Sequence, residues 1–378
     1  MRFQGDSARE ERRKIVTLHK ESPNLDLLRS IAVLAVLTDH LTATYGIAQK
    51  HVFLGELGYW GVLLFFVHTS FVLMMSLERI RLEGWRLYST FYLRRFFRIY
   101  PLSVVTVALA VIFHIPQSSW VSQYHHLGLK AIISNFLLCQ NLTKSHSVIG
   151  PLWSLPYEIQ MYLVLPALFT ILRWSRSARP LIGIWFLAIT FAFLQPRLGD
   201  TDMGGLLRLD RLDISKFIPC FLAGVTAYYL SLRRREPKLP FWLWPFAIAA
   251  ITAVDLRWHA GLGWLTHVAV WCCCLALGLI VTRCRESTYR RLNRFTHYVA
   301  KYSYGLYLGQ IPVLWLSFVK LHDLSKPVQW GIFLLLIVIV PVASYHLIEA
   351  PLIRMGAVLS ASALKPSRLT SLAEPVRT

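Results

Sequence analysis

"LDLLRSIAVLAVLTDH" (residues 25–40) decides how this chain is read. Its apolar run from Ile31 to Leu37 has the character of a membrane span, yet Asp26, Arg29, Asp39 and His40 lie within or beside it. An ionised group at the centre of a bilayer costs about 3 kcal/mol or more, so each must face protein or water. Arg29 and His40 are eleven residues apart. At 100° per residue they fall within about 20° of one helix face, separated by about 16 Å along the axis. Asp26, three residues before Arg29, is placed to pair with it and to favour the helix N-terminus. Asp39 points about 100° away from His40 and is a poor direct partner for the imidazole. Two readings stand beside each other. Arg29 snorkels to headgroups while His40 sits satisfied against another helix, or the two line an aqueous or ligand-filled cavity.

Outward from this stretch, the 378 residues are 55% hydrophobic with a mean hydropathy of +0.47. Apolar runs of spanning length recur along the chain, which marks an all-α polytopic membrane protein. Ten spans are expected at 24–43, 59–78, 96–115, 154–172, 181–195, 214–231, 241–256, 262–282, 302–320 and 328–350. The formal charge of +20 does not point to nucleic acid, because the cations cluster between alternate apolar runs. With both termini cytoplasmic, inner segments hold 29 of the 40 Lys and Arg residues, outer ones ten, and Arg29 lies within a span. That is the positive-inside pattern. Residues 1–23 are expected to form a basic cytoplasmic segment without a secretory signal, 24–354 the membrane domain, and 355–378 a cytoplasmic tail.

The outer connection before the fourth span contains "LKAIISNFLLC" (129–139), apolar but too short to cross. It is expected to be an interfacial or re-entrant helix. The outer loop "QPRLGDTDMGGLLRLDRLD" (195–213) mixes four aspartates with three arginines and reads either as a polar acceptor surface or as a solvated loop. The six cysteines show no metal-ligand spacing.

Six motifs then fall in one order. "LDLLRSIAVLAVLTDH" resembles the first span of the acyltransferase 3 family, whose signature is arginine, ten residues, then histidine. "GVLLFFVHTSFVLM" (61–74), "FYLRRFFRIYP" (91–101) and "GPLWSLPYEIQMYLVLP" (150–166) resemble its following segments. "YSYGLYLGQIPV" (302–313) and "SYHLIEAPLIR" (344–354) resemble the end of its domain. The resemblance covers residues 24 to 354. It implies an integral-membrane enzyme that moves an acyl group, commonly acetyl, from acyl-CoA to a hydroxyl of a surface or exported carbohydrate or glycolipid. Some members carry an additional soluble esterase-like domain, so transfer here is expected within the membrane domain or with a separate glycan-biosynthesis partner. The resemblance also implies a bacterial inner membrane and no permanently bound cofactor. There are departures: Leu63 stands where an aspartate is usual, Thr69-Ser70 for serine-glycine, His68 for an apolar residue, and Gly309-Gln310 for tryptophan-histidine.

On this reading His40 is the general base for the acceptor hydroxyl, or a transient acyl carrier. Arg29 holds the donor or stabilises negative charge on the thioester oxygen. Arg94, Arg95 and Arg98 suit the phosphates of acyl-CoA, with Arg95 and Arg98 on a shared helix face. Positive-inside charge needs no ligand, however, and explains the same residues. Glu158, near the outer start of the fourth span, contacts the acceptor or orients His40; it also serves a helix N-terminus, with Ser154 as cap and Pro156 in the first turn. Trp153 and Tyr157 offer faces for a sugar or anchor the span at the interface. Glu349 is expected to pair with a cytoplasmic arginine. A proton-coupled transporter or exporter of a glycan precursor is the rival, since a buried arginine and histidine suit proton coupling too.

Overall fold

The computed structural model describes residues 22–47, 52–80, 82–118, 127–175, 177–199, 211–232, 239–258 and 265–362. Within them the protein is helical, and no strand forms beyond an isolated bridge between Leu239 and Cys284. The long helices are α1 (Pro23–Thr44), α2 (Val52–Arg79) and α3 (Gly84–Ile112), then short α4 (Leu129–Phe136), α5 (Leu155–Trp174) and α6 (Arg179–Gly199). They are followed by α7 (Ile218–Ser231), α8 (Leu243–Trp258), α9 (Leu265–Val281), α10 (Arg290–Leu314), α11 (Lys326–Ser344) and α12 (Ala350–Ser362). Among the described residues six helical stretches are long and apolar enough to cross a membrane: α1, α2, α3, Gly150–Trp174, α6 and Lys326–Ala361. The protein is therefore a multi-pass membrane protein.

Helix covers each of the ten expected runs, but only six of these helices meet the length and apolarity of a span. The stretches in α7, α8 and α9 are short, and α10 opens on "RRLNRFTHYVAK" and continues through Tyr, Gly and Gln, which leaves it too polar to count. The boundaries also move. Helix α3 begins at Gly84, well before the expected residue 96, so Arg94, Arg95 and Arg98 sit on a formed helix. The last helical stretch runs past 354 to Ser362, two segments joined by a π-turn at Tyr345–Glu349. Most of the 195–213 loop, the N-terminal 21 residues and residues 363–378 lie outside the described residues.

Helix α1 starts where its sequence dictates. Ser22 caps it, accepting from the Leu25 amide at 3.3 Å, and Pro23 occupies the first turn. Ser22 Oγ donates to Glu286 at 2.7 Å, and the same carboxylate accepts the Asn24 amide at 3.0 Å. These bonds tie the entry of α1 to the segment that leads into α10. Helix α2 is the central element, flanked by α1 and α7 through two glycines. A Cβ at Gly61 would meet the Ala32 carbonyl, and one at Gly224 the Val67 carbonyl and Ser70. Such small-residue contacts let helix backbones approach closely, the packing that membrane bundles favour.

The connection before α5 is drawn into the protein. Helix α4 turns Leu129, Ile133 and Leu137 outward and buries Ser134 and Asn135. Asn135 donates to the His146 carbonyl at 2.9 Å and accepts from the Val148 amide at 2.9 Å. Gln140 donates to the Leu152 carbonyl at 2.8 Å, and Ile149 and Leu152 are fully buried. Buried backbone must find partners, and these two amides supply them. The result sets the depth at which α5 begins.

Candidate active site

A cavity of about 80 Å³ lies among α1, α2, α3, α5 and α10, with Arg29, His68, Thr69, Arg95, Arg98, Glu158, Tyr162 and Ser303 among its polar lining. Apolar walls come from Val62, Phe65, Phe66, Val72 and Leu73 of α2. Arg29 Nε donates to Ser303 Oγ at 2.5 Å. It does not take Asp26, the partner its spacing suggests, because Asp26 turns to His297 Nδ1 at 2.9 Å near the start of the helix. Arg95 and Arg98, three residues apart on α3, share the cavity face as expected. Arg98 Nη1 also reaches Glu349 Oε2 at 2.6 Å, and Glu349 is only 1% exposed. This is the arginine pairing expected of Glu349, and it carries α3 onto the π-turn between α11 and α12.

Glu158 is the less expected member. The sequence places it at the outer end of its span and Arg29 near the opposite end. The structure brings both to one cavity, with the start of α5 anchored by the buried Asn135, Gln140, Ile149 and Leu152 of the preceding connection. The Glu158 carboxylate accepts from Tyr162 Oη at 3.0 Å and bonds the Thr69 side chain. Ser154 stands at the N-cap position of α5, yet its hydroxyl makes no capping bond and pairs with Tyr307 Oη at 2.8 Å. Pro156 occupies the first turn as expected.

Other expected residues lie elsewhere. Arg94 is exposed and does not line the cavity; its Nε donates to Ser360 of α12 at 3.0 Å. Trp153 and Tyr157 belong to an aromatic cluster: Trp153 lies 5.8 Å from Phe217 and 6.4 Å from Tyr59, and Tyr157 lies 4.8 Å from Phe217, between ring centroids. Tyr157 is buried there, while Trp153 remains partly exposed. His40 does not line the arginine cavity; its imidazole interacts with the amide of Gln310 on α10. Asp39 packs against Gly58, where a Cβ would collide with its carboxylate. Gly58 and Gln310 thus frame the far end of α1.

The residues that spacing alone does not reveal are Tyr162, Ser303, Thr69 and His68. Tyr162 follows Glu158 by four residues, a helix-face signal that was available. Thr69 and His68 are visible only as departures from the second-span pattern.

The family model for the acyltransferase 3 domain, described as an acyltransferase domain, matches residues 22–346. A Bacillus subtilis protein named "Putative peptidoglycan O-acetyltransferase YrhL" is 27% identical over 89% of this chain and 56% of its own length. The peptidoglycan O-acetyltransferase OatA of Listeria monocytogenes is 24% identical over the same shares. The acyltransferase MdmB of Streptomyces mycarofaciens is 30% identical over 45% of this chain and 44% of its own. The chain spans about half the length of these curated relatives, and no solved structure matches it. With its motifs in order, its helical bundle and this match over most of its length, the chain belongs to the acyltransferase 3 family.

Proposed function

We propose that this chain is a membrane O-acyltransferase that moves an acyl group, acetyl being the simplest, from acyl-CoA to a hydroxyl of a surface or exported carbohydrate or glycolipid. The names of the relatives make peptidoglycan one candidate acceptor. The observation that carries the reading is the convergence of Arg29, Arg95, Arg98 and Glu158 on one cavity inside a bundle of this family. Guanidinium groups suit an anionic donor.

In the reaction the acceptor hydroxyl oxygen attacks the thioester carbonyl carbon. The new C–O bond forms as the C–S bond breaks, and the hydroxyl proton passes through His40 to the departing CoA thiolate. A transient acyl-histidine divides the same exchange into two transfers. Arg29 and His40 stand about three turns apart on α1, so the donor end occupies the arginine side and the acceptor approaches from the histidine side. Arg95 and Arg98 hold the donor, with Arg94 nearer the surface as a phosphate contact. Trp153 offers the acceptor a partly exposed face, backed by Tyr157. Ten spans with both termini in the cytoplasm, in a bacterial inner membrane, set the donor inside and the acceptor outside. A partner protein of glycan biosynthesis that delivers or receives the acceptor belongs to the same reading.

The test is structural analysis of surface and secreted glycans from cells with and without the gene. An ester present only with the gene identifies acyl group and acceptor together. Identical ester content in both overturns the assignment.

A further inference from the structure

His68 is used by nothing in the mechanism above. It sits on α2, the central helix, is 4% exposed and lines the same cavity as Arg29. Its Nδ1 has no hydrogen-bond partner, and neither has Nε of Arg95 across the same space. A buried polar atom left without a partner costs about 1–3 kcal/mol. A ligand atom that meets it recovers that cost.

The charges around the cavity do not balance. Three guanidinium groups, Arg29, Arg95 and Arg98, face two carboxylates, Glu158 and Glu349. One of those carboxylates is engaged by Arg98 and the other by Tyr162 and Thr69. A surplus positive charge in a poorly solvated space favours an anion. The space is too small for the body of a CoA, and its apolar wall from Val62, Phe65, Phe66, Val72 and Leu73 suits a short methylene chain.

We propose that His68 is a specificity-determining residue that, with Arg95, hydrogen-bonds the far carboxylate of a dicarboxylic acyl group, succinyl being the four-carbon case. This rests on the acyl-CoA reading above. The transfer is the one already written: the carbonyl carbon exchanges sulfur for the acceptor oxygen, the hydroxyl proton leaves with CoA, and the distal carboxylate is unchanged.

The test uses the purified full chain with a carbohydrate acceptor and three donors: acetyl-CoA, butyryl-CoA and succinyl-CoA, read as CoA release and ester formed. Butyryl and succinyl have equal chain length, so the wild type isolates the carboxylate. Succinyl turnover exceeding butyryl by about tenfold or more is expected, the discrimination of a site whose polar groups are otherwise unmet. In His68→Leu that ratio falls by about tenfold or more. His68→Asn, which keeps a hydrogen-bonding group, stays nearer the wild type. A ratio is insensitive to the fraction of protein that folds, and the wild-type comparison stands even if His68→Leu does not fold. Equal use of butyryl and succinyl by the wild type overturns the inference, as does a His68→Leu ratio equal to that of the wild type. Acetyl turnover with no succinyl turnover overturns it while leaving the acyltransferase reading intact. Turnover of no donor overturns both.

Discussion

The two ends of α1 carry the residues that first mark this chain, and the fold treats them differently. At the Arg29 end the surroundings are charged: Ser303 accepts from its Nε, while Arg95, Arg98 and Glu158 share its cavity. At the His40 end Gln310 lies beside the imidazole, Leu37 and Leu41 pack on Val313, Leu314, Phe318 and Phe333, and the Asp39 carboxylate turns to Gly58. A guanidinium stays charged in almost any setting and needs anions or acceptors near it. An imidazole that must take and return a proton gains from neutral neighbours that fix its orientation without holding it charged. On the proposed mechanism the two ends of α1 serve two chemistries, separated by about three turns.

The comparison can be broken at several places. Glu349→Ala removes the buried carboxylate beneath Arg98, and loss of one partner of such a pair costs about 3 kcal/mol or more. Thermal unfolding in detergent is expected to show that loss, with a further fall in donor use. An unchanged transition would mean that the pair at 2.6 Å contributes nothing. Arg29→Gln keeps a donor for Ser303 but deletes the charge, and transfer is expected to drop about 100-fold as the anionic donor loses a charge-assisted contact. Retention of full turnover would move the charged end of α1 out of the chemistry. Gln310→Leu leaves His40 without its amide neighbour and is expected to lower turnover about tenfold or less, chiefly in kcat. A KM effect alone would reassign Gln310 to substrate binding.

Much of this architecture was legible in the residues. The apolar runs located the helices, the Arg29–His40 spacing located the ionisable face, and "SYHLIEAPLIR" located Glu349 near the arginines. The joint position of Glu158 and Arg29 was not legible. It depends on Asn135 and Gln140 stitching the preceding connection into the interior, and such tertiary bonds leave no periodic signal. Nor did the sequence tell that Trp153 and Tyr157 pack on Phe217 of a distant segment, or that Arg94 turns to Ser360 while its neighbour Arg95 faces the cavity.

The proposed chemistry is the exchange of an acyl thioester for an ester by this bundle, with His40 as the proton acceptor. It is tested most directly by following CoA thiol release and acceptor esterification together, using purified wild type and His40→Ala with acetyl-CoA and a carbohydrate acceptor. Stoichiometric release and esterification are expected in the wild type, and a fall of about 10²–10⁴-fold in the variant. Passage of the carbohydrate across a bilayer without CoA release would contradict the enzyme in favour of a transporter. Full turnover by His40→Ala would contradict the role of the histidine.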